Sequence, residues 1–227
     1  CSFMDAQVGE LLNILDETGL SENTRIIYVS DHGDTLGEHG VWFKSTMYEG
    51  SVGVPFIIAG PDIPQGKEID DPVSLVDCFP TIVDAAGGKL SEADQDLPGM
   101  SLLPLAMGAE LPHRVVMSEY HAASFRTASF MIRHGQYKYI YYPGDYLPQL
   151  FDLAEDPNEF KDLSTNPDYA HILKDCEKEL RKILDPEEIN TMALQDQARR
   201  MELKGGRDKI LNDGNQIVYS PVPPQFR

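Results

Sequence analysis

The pattern of apolar and polar positions in the first 60 residues predicts one helix followed by two short buried strands. Residues 4–19 repeat apolar side chains at helical spacing, and Gly19 supplies a helix stop. The runs at 25–30 and 54–60 are short, apolar and rich in β-branched residues, which is typical of strands buried on both faces. A helix, a short loop and a buried strand in succession indicate an α/β sheet that is covered on both sides.

A second helix is predicted at 74–88, "SLVDCFPTIVDAAGG". Its Pro80 must lie in the first turn or kink the helix, because proline has no N–H to donate. The composition then changes, and residues 90–113 are rich in proline and glycine. That change indicates a connecting loop.

The third part of the pattern predicts strands that follow one another directly. They are "RVVMSEYHA", "TASFMIRHGQYKYIYY", split as a hairpin at His134-Gly135, and "PQLFDLAED". They indicate a small antiparallel sheet from about 114 to 155, closed by an amphipathic helix at 166–185 with Asn166 or Asp168 as its N-cap. We therefore predict an α/β part over 1–110 and a sheet-plus-helix part over 111–227, with an extended proline-rich tail at 218–226.

The net charge of the chain limits the classes of partner that it is expected to bind. The 227 residues carry 37 acidic and 19 basic side chains, which gives a net charge of −18. Nucleic acids and anionic membranes are bound by clustered Lys and Arg, so neither partner is expected. No apolar run of about 20 residues and no basic-then-apolar leader is visible. A small anion remains admissible, because charges beyond about 8 Å are largely screened at physiological salt.

Three widely spaced cysteines suggest neither a disulfide framework nor a zinc site. They slightly favour a reducing compartment such as the cytoplasm, and the sequence leaves the location open.

The candidate chemistry follows the first predicted strand, where "IIYVS" gives way to "DHGDTLGEHGVWFK". Ligand sites in open α/β sheets lie beyond the carboxyl ends of strands. Asp31 and His32 occupy such an end and offer an oxygen and a nitrogen donor to a metal ion. The alternative is an ordinary turn in which both side chains bond backbone groups. Two ligands are also too few for a complete metal site.

The longer stretch "SDHGDTLGEHGVWFK" followed by "YEGSVGVPFIIAGP" resembles the sulfatase family, a branch of the alkaline-phosphatase superfamily, and most closely its choline-sulfatase and iduronate-sulfatase types. The likeness continues through "SLVDCFPTIVDAAGG" and "QLFDLAEDPNEFKDL". It implies the C-terminal part of an alkaline-phosphatase-like α/β sandwich, with the small antiparallel sheet as a subdomain packed by a C-terminal helix.

The resemblance implies that Asp31 and His32 are ligands of a divalent metal, with Ca²⁺ expected, and that Lys44 acts in catalysis by contacting the transferred sulfate. A divalent cation and an ammonium stabilise the negative charge that develops during sulfate-ester cleavage. The alternative for Lys44 is an ordinary solvated lysine. His39 is expected to brace the loop. His121 is a candidate for substrate binding, with a strand-end backbone bond as its alternative.

The nucleophile of the family is not found in this sequence. Sulfatases use a formylglycine made within Cys/Ser-X-Pro-X-Arg, and only "CFPTI" imitates it, with Ile82 in place of the arginine. Cys78 is therefore interpreted as a small core residue. The expectation is a C-terminal half that is inactive alone, with the formylglycine and the remaining ligands on an N-terminal half of the same enzyme.

Three functions remain open from the sequence. The first is a sulfatase acting on a small anionic sulfate ester. The second is a phosphonate monoester or phosphodiester hydrolase, for which Mn²⁺ or Zn²⁺ would be expected. The third is a non-catalytic fragment whose acidic surface and proline-rich tail serve contacts in a homo-oligomer.

Overall fold

The computed structural model describes residues 1–110, 113–121 and 126–213. Within these ranges the strands are β1 (Ile26–Val29), β2 (Thr35–Leu36), β3 (Trp42–Phe43), β4 (Phe56–Ala59), β5 (Val115–Tyr120), β6 (Ser129–His134), β7 (Tyr137–Tyr141) and β8 (Gln149–Asp152). The α-helices in the same ranges are α1 (Ser2–Glu17), α2 (Glu49–Val52), α3 (Cys78–Ala85), α4 (Leu103–Ala106), α5 (Ala170–Ile183), α6 (Pro186–Leu203) and α7 (Arg207–Asn212). The tail at 218–226, for which an extended form is predicted, lies outside the described residues.

The first predicted helix is confirmed as α1, and the two predicted strands are confirmed as β1 and β4. Their predicted burial is wrong, and in β4 Ile57 is 57% exposed. The prediction that β1 is covered on both faces is wrong for this chain, since Tyr28 is 38% and Val29 36% exposed. The reason is that β1 has a single strand partner in the described residues, the antiparallel β4, with Ile26 opposite Ala59. A two-stranded ribbon leaves both outer edges and much of each face open.

The helix predicted at 74–88 is confirmed as α3, preceded by a turn of 3₁₀ helix. Pro80 lies in its first turn, as expected from its missing N–H. Ser74 and Asp77 cap the preceding turn reciprocally. The fully buried Asp77 carboxylate also accepts two hydrogen bonds from the Arg114 guanidinium, at 2.9 and 3.2 Å. This ion pair ties α3 to the segment that leads into β5.

The small antiparallel sheet is confirmed as a four-stranded meander in the order β5-β6-β7-β8. The predicted hairpin joins β6 to β7 with His134 opposite Tyr137, so its loop contains only Gly135 and Gln136. Gly135 has a φ of 59°, in the left-handed region that favours glycine. This short connection fixes the register of the two central strands.

Both faces of the meander are covered, by different parts of the chain. Phe130, Ile132 and Tyr139 belong to a buried cluster that packs against α5. The alternate positions, Met131 and Ile140, belong to a second cluster on the other face, which includes Met47. The two-residue period of strands therefore directs one face of the sheet toward α5 and the other toward the segment after β3.

The helix that closes the sheet is confirmed, with Asn166 as the cap. Its side chain accepts a hydrogen bond from the Asp168 N–H at 3.1 Å, and α5 follows after one turn of 3₁₀ helix. The next helix, α6, was not predicted, because its segment is polar. Its start signal is nevertheless present in the sequence, since Asp185 accepts hydrogen bonds from the Glu187 and Glu188 N–H groups, and Pro186 is the first helical residue.

No described helix is both long and apolar enough to cross a membrane. The division at residues 110/111 stays a prediction.

Candidate functional site

The predicted site residues lie in a cleft of about 660 Å³ between the loops that follow β1 and β3 and residues of β5, β6 and β7 of the meander. Asp31, His32 and Lys44 line one side, and Glu119 of β5 and Arg133 of β6 line the other. Its volume is within the usual range for small-molecule sites. The structure therefore brings together the three residues that the sequence singles out between β1 and β4.

Each of the two predicted metal ligands has one side-chain donor atom that no backbone group contacts, and these two atoms lie close to one another. The Asp31 Oδ1 accepts a hydrogen bond from the His32 N–H at 3.0 Å, and the His32 Nδ1 lies 2.8 Å from the Gly33 carbonyl oxygen. These are the backbone contacts of the ordinary-turn alternative. They do not involve Asp31 Oδ2 and His32 Nε2, and these two atoms lie 3.6 Å apart.

The tautomer of His32 follows from its partners. A carbonyl oxygen can only accept, so Nδ1 carries the hydrogen and Nε2 presents its lone pair. A backbone carbonyl in this position is a common device for orienting a metal-binding histidine. The Nε2 atom faces the Lys44 ammonium at 2.7 Å.

The geometry fits two ligands of one divalent cation. Ligand distances of about 2.0–2.6 Å place neighbouring donors on one ion roughly 3–3.7 Å apart, and Asp31 Oδ2 and His32 Nε2 are separated by 3.6 Å. A carboxylate oxygen and a neutral imidazole nitrogen are both suitable donors. No group of three or more His, Cys, Asp or Glu side chains in the described ranges forms a fuller metal site.

The backbone on either side of Lys44 adopts an unusual conformation. Phe43 has a φ of 69° and Ser45 a φ of 80°, in the left-handed region that non-glycine residues rarely occupy. The Thr35 hydroxyl holds this turn by donating to the Phe43 carbonyl at 2.5 Å. Such backbone strain clusters at functional sites, which favours a specific role for Lys44 over that of an ordinary surface lysine.

The loop between β1 and β2 (residues 30–34, named the metal loop for the two predicted metal ligands it carries) also depends on the absence of a side chain at Gly33. A Cβ at this position would lie 2.3 Å from the Gly50 carbonyl oxygen. The Gly33 N–H donates to the Ser51 carbonyl at 2.8 Å. The strand-end loop and α2 therefore approach more closely than any other residue type would allow.

The His39 ring lies away from the cleft lining. It stacks on Tyr48, with ring centroids 4.1 Å apart, and its second neighbour is Phe160. Nearby, the Glu38 carboxylate accepts the Leu36 N–H at 2.5 Å, and hydrogen bonds from backbone N–H groups lower its pKa. These contacts support the loop after β2.

The His121 side chain lies at the end of β5 beside the cleft, but outside its described lining. Its Nε2 is 3.3 Å from the Glu119 carboxylate, and its ring contacts Phe130 edge-on. The backbone carbonyl of His121 accepts a hydrogen bond from the side-chain amide of Gln197. Glu119 and Tyr120 line the cleft in its place.

Sequence reasoning missed three residues in and around the cleft: Arg133, Lys138 and Glu159. Lys138 has only 1% of its side chain exposed, although lysine is rarely buried. The signal that could have found it is a single charge inside the aromatic run "YKYIYY". No local signal in the sequence distinguishes Glu159, whose partners lie about 20 and 110 residues away along the chain.

The family model for the C-terminal region of N-sulphoglucosamine sulphohydrolase matches residues 37–196. Among curated proteins, the chain is 43% identical over 166 residues to the choline-sulfatase of Rhizobium meliloti (strain 1021), covering 73% of this chain and 32% of that protein. It is 36% identical over 197 residues to arylsulfatase K of Canis lupus familiaris, covering 82% of this chain and 36% of that protein.

Solved structures give the same picture. A 2-O GAG sulfatase superposes with a TM-score of 0.72 at 32% identity, covering 79% of this chain and 40% of that one. A protein in complex with its substrate D-glucosamine-2-N,6-O-disulfate superposes with a TM-score of 0.68 at 29% identity, covering 81% and 40%. The phosphonate monoester hydrolase of Agrobacterium radiobacter gives a TM-score of 0.67 at 28% identity, covering 78% and 38%.

The chain spans about a third of the length of the curated relatives that it matches. The match of the family model covers more than half of the chain, and the neighbouring structures share the predicted alkaline-phosphatase-like architecture. The chain belongs to the sulfatase family.

Proposed function

We propose that this chain carries one side of the active site of an enzyme that hydrolyses a small sulfate ester. The observation that carries the proposal is the convergence of Asp31 Oδ2, His32 Nε2 and the Lys44 ammonium within one cleft. The sulfatase relatives support the reaction class. The remaining metal ligands and the nucleophile, for which the family resemblance implies a formylglycine, are assigned to residues outside this chain.

The charges of the cleft support a bound cation. The described lining carries four carboxylates, of Asp31, Glu49, Asp70 and Glu119, and three cationic side chains, of Lys44, Arg133 and Lys138. A sulfate ester entering this balanced cleft in a strongly acidic chain would meet little net attraction. A divalent cation at Asp31 and His32 would supply the missing positive charge and polarise the ester oxygens.

The residues of this chain have separate tasks in the proposal. Asp31 and His32 hold the cation, and the Gly33 carbonyl keeps the hydrogen of His32 on Nδ1, so that Nε2 remains a ligand. Lys44 donates to a non-bridging sulfate oxygen, where negative charge grows during cleavage. Ca²⁺ is the ion that the family resemblance leads us to expect; of the two donors, the carboxylate oxygen is the type that calcium usually takes. His121 remains a candidate for contact with the alcohol part.

Phosphonate monoester hydrolysis is the second candidate, favoured by the similarity to the Agrobacterium radiobacter enzyme. A phosphonate monoester is also a tetrahedral anion, so Asp31, His32 and Lys44 would keep the same tasks, with Mn²⁺ or Zn²⁺ as the expected ion. The third possibility, a non-catalytic oligomer-forming fragment, predicts no metal binding at Asp31 and His32. Homo-oligomer formation stays a prediction.

The experiment compares Asp31→Asn and His32→Ala with wild type in the complete protein that contains this chain. Metal content is measured by mass spectrometry after loading with Ca²⁺, Mn²⁺ or Zn²⁺. Turnover is measured on an aryl sulfate, choline sulfate and a phosphonate monoester. Both variants should lose metal and turnover together. The matched control is Asp34→Asn, which removes an exposed carboxylate three residues away that does not line the cleft.

Unchanged metal content with full activity in both variants would remove Asp31 and His32 from the site. Wild-type protein that binds no divalent metal would favour the non-catalytic alternative. A specificity constant highest for the phosphonate would favour the second candidate.

A further inference from the structure

The side chain of Lys138 is buried, and its ammonium contacts two carboxylates and a backbone carbonyl inside the protein. Its Nζ atom donates to the Met47 carbonyl at 3.0 Å and lies 2.5 Å from Glu49 and 2.7 Å from Glu159. One carbonyl oxygen and two carboxylates therefore surround the ammonium, so its positive charge is compensated inside the protein. Although Lys138 borders the cleft, its charge is paired with Glu49 and Glu159, and its side chain is only 1% exposed.

The partner Glu159 is equally buried, with 1% of its side chain exposed, and makes a second contact with the same segment. Its Oε2 atom accepts the Glu49 N–H at 2.6 Å. That N–H is at the first residue of α2, where the helix itself provides no acceptor. Tyr48, the N-cap residue, makes no side-chain cap bond, so Glu159 satisfies this helix from a distant part of the chain.

The helix held in this way contacts the metal loop directly. The Ser51 carbonyl accepts the Gly33 N–H at 2.8 Å. The Gly33 carbonyl in turn lies 2.8 Å from His32 Nδ1. A continuous series of contacts therefore runs from Lys138 and Glu159, through α2, to the ring of His32.

A contribution to stability is not a sufficient explanation for the buried ion pair of Lys138 and Glu159. Burial of two charges costs several kcal/mol of desolvation each, and apolar replacements of buried pairs are often neutral or stabilising. The pair is better explained by the specific position it imposes. It seats a four-residue helix, too short to be stable alone, at one place on the face of the sheet.

We propose that Lys138 and Glu159 are positioning residues, which fix α2 and through it the orientation of His32 as a metal ligand. The inference rests on the proposed metal-dependent hydrolysis for its purpose, but its geometry is independent of any bound ion. It predicts that removal of the pair disturbs the metal loop while the fold survives.

The main test uses the double variant Lys138→Met/Glu159→Leu in the complete protein, because both buried charges are removed together. The single variant Lys138→Met leaves Glu159 buried without a partner, so it is expected to be strongly destabilised. The double variant should keep a melting temperature near that of wild type. Its affinity for a divalent metal ion, measured by calorimetry, should fall roughly 10- to 100-fold, the usual effect of removing outer-shell support.

A second measurement needs neither metal nor turnover. In wild type, nitrogen NMR of the metal-free protein should show His32 with its hydrogen held on Nδ1, and the Gly33 amide should exchange slowly with solvent. In the double variant the ring should populate both tautomers, and Gly33 exchange should accelerate. The Glu159→Gln variant, which retains an oxygen acceptor for the Glu49 N–H, should show a smaller change.

Arg114→Met provides the control, because it breaks another buried ion pair, with Asp77, that does not support α2. It should lower the melting temperature and leave the His32 signals unchanged. A folded double variant with wild-type metal affinity and wild-type His32 signals would overturn the positioning role. A wild-type protein without metal binding would instead contradict the proposed function, and the His32 signals would still decide the inference.

Discussion

The Lys44 ammonium lies 2.7 Å from the Nε2 atom of His32. His32 is a proposed ligand of the cation, and Lys44 is a proposed contact of the anionic substrate. The proposed cation site and the proposed anion site are therefore adjacent in the cleft. The lysine faces the lone pair that a metal ion would use. Metal binding therefore requires the ammonium to move from this lone pair, which leaves it free to approach the anion beside the cation.

Replacement of Lys44 by alanine separates these roles. Metal content should not fall, because the lysine is proposed to contact the substrate and not the cation, and its removal frees the His32 lone pair. Turnover of the preferred ester should fall by about 10²- to 10³-fold, the usual loss when one donor to developing charge is removed. Parallel measurement of steady-state kinetics and metal content checks both statements.

The matched control for Lys44 is Lys89→Ala, since Lys89 is exposed and does not line the cleft. It should behave as wild type. Wild-type kinetics for Lys44→Ala would return Lys44 to the role of an ordinary surface lysine.

Gly33→Ala should disrupt the metal loop, because the new methyl group would lie 2.3 Å from the Gly50 carbonyl oxygen. The contact can be relieved only by a backbone shift. Metal affinity and melting temperature should therefore both decrease. The same substitution at Gly9, in the middle of α1 with no atom within 4 Å of the added methyl, should be neutral or stabilising by about 0.5–1 kcal/mol. Equal effects at the two positions would refute the steric argument.

Glu187 should make stability depend on pH in the acid range. A hydrogen bond from Arg181 is the main cause that lowers the pKa of Glu187 from 4.5 to about 2, and Tyr141 adds a second bond. Because the folded-state pKa is depressed, the stabilisation is fully present above about pH 4.5 and is lost as the pH falls toward 2. Melting temperatures of wild type and Glu187→Gln should therefore differ at pH 6 and converge near pH 2.

The neighbouring Glu188→Gln variant controls for the loss of one negative charge near the start of α6. A constant difference between wild type and Glu187→Gln at all pH values would contradict the linkage to Glu187 ionisation.

The charge of the chain predicts a preference for small sulfate esters over sulfated polysaccharides. A polyanion would meet the field of a chain with net charge −18 along its whole length, whereas a small monoester meets only the cation and Lys44. Kinetics on choline sulfate, an aryl sulfate and a sulfated oligosaccharide, each at low and high salt, test this. A specificity constant highest for the oligosaccharide and falling steeply with salt would show that a basic groove outside this chain dominates.

Local patterns allowed much of the fold to be predicted. Three correctly predicted features depend only on residues that are adjacent in the sequence. They are the two-residue hairpin at Gly135, the position of Pro80 in the first turn of α3, and the Asn166 cap. The exposure of β1 was not predictable in this way, since it depends on how many strands lie beside it.

The same distinction applies to the site. Asp31, His32 and Lys44 lie within fourteen residues of one another, and a motif identifies them. Lys138 and Glu159 contact Met47 and Glu49 across about 90 and 110 residues of chain. Only the folded structure reveals such contacts, because no short segment contains both partners.

Met47 packs against Met131, Ile140 and Phe151, and this long-range contact affects the order in which the parts of the chain fold. The meander and α5 make mostly local contacts and can close early, because short loops lose little entropy. Met47 must cross some 90 residues of chain to reach a surface that exists only once the meander has formed. We expect the metal loop to acquire its structure last and to lose it first, so that mild denaturant would abolish metal binding before the meander unfolds.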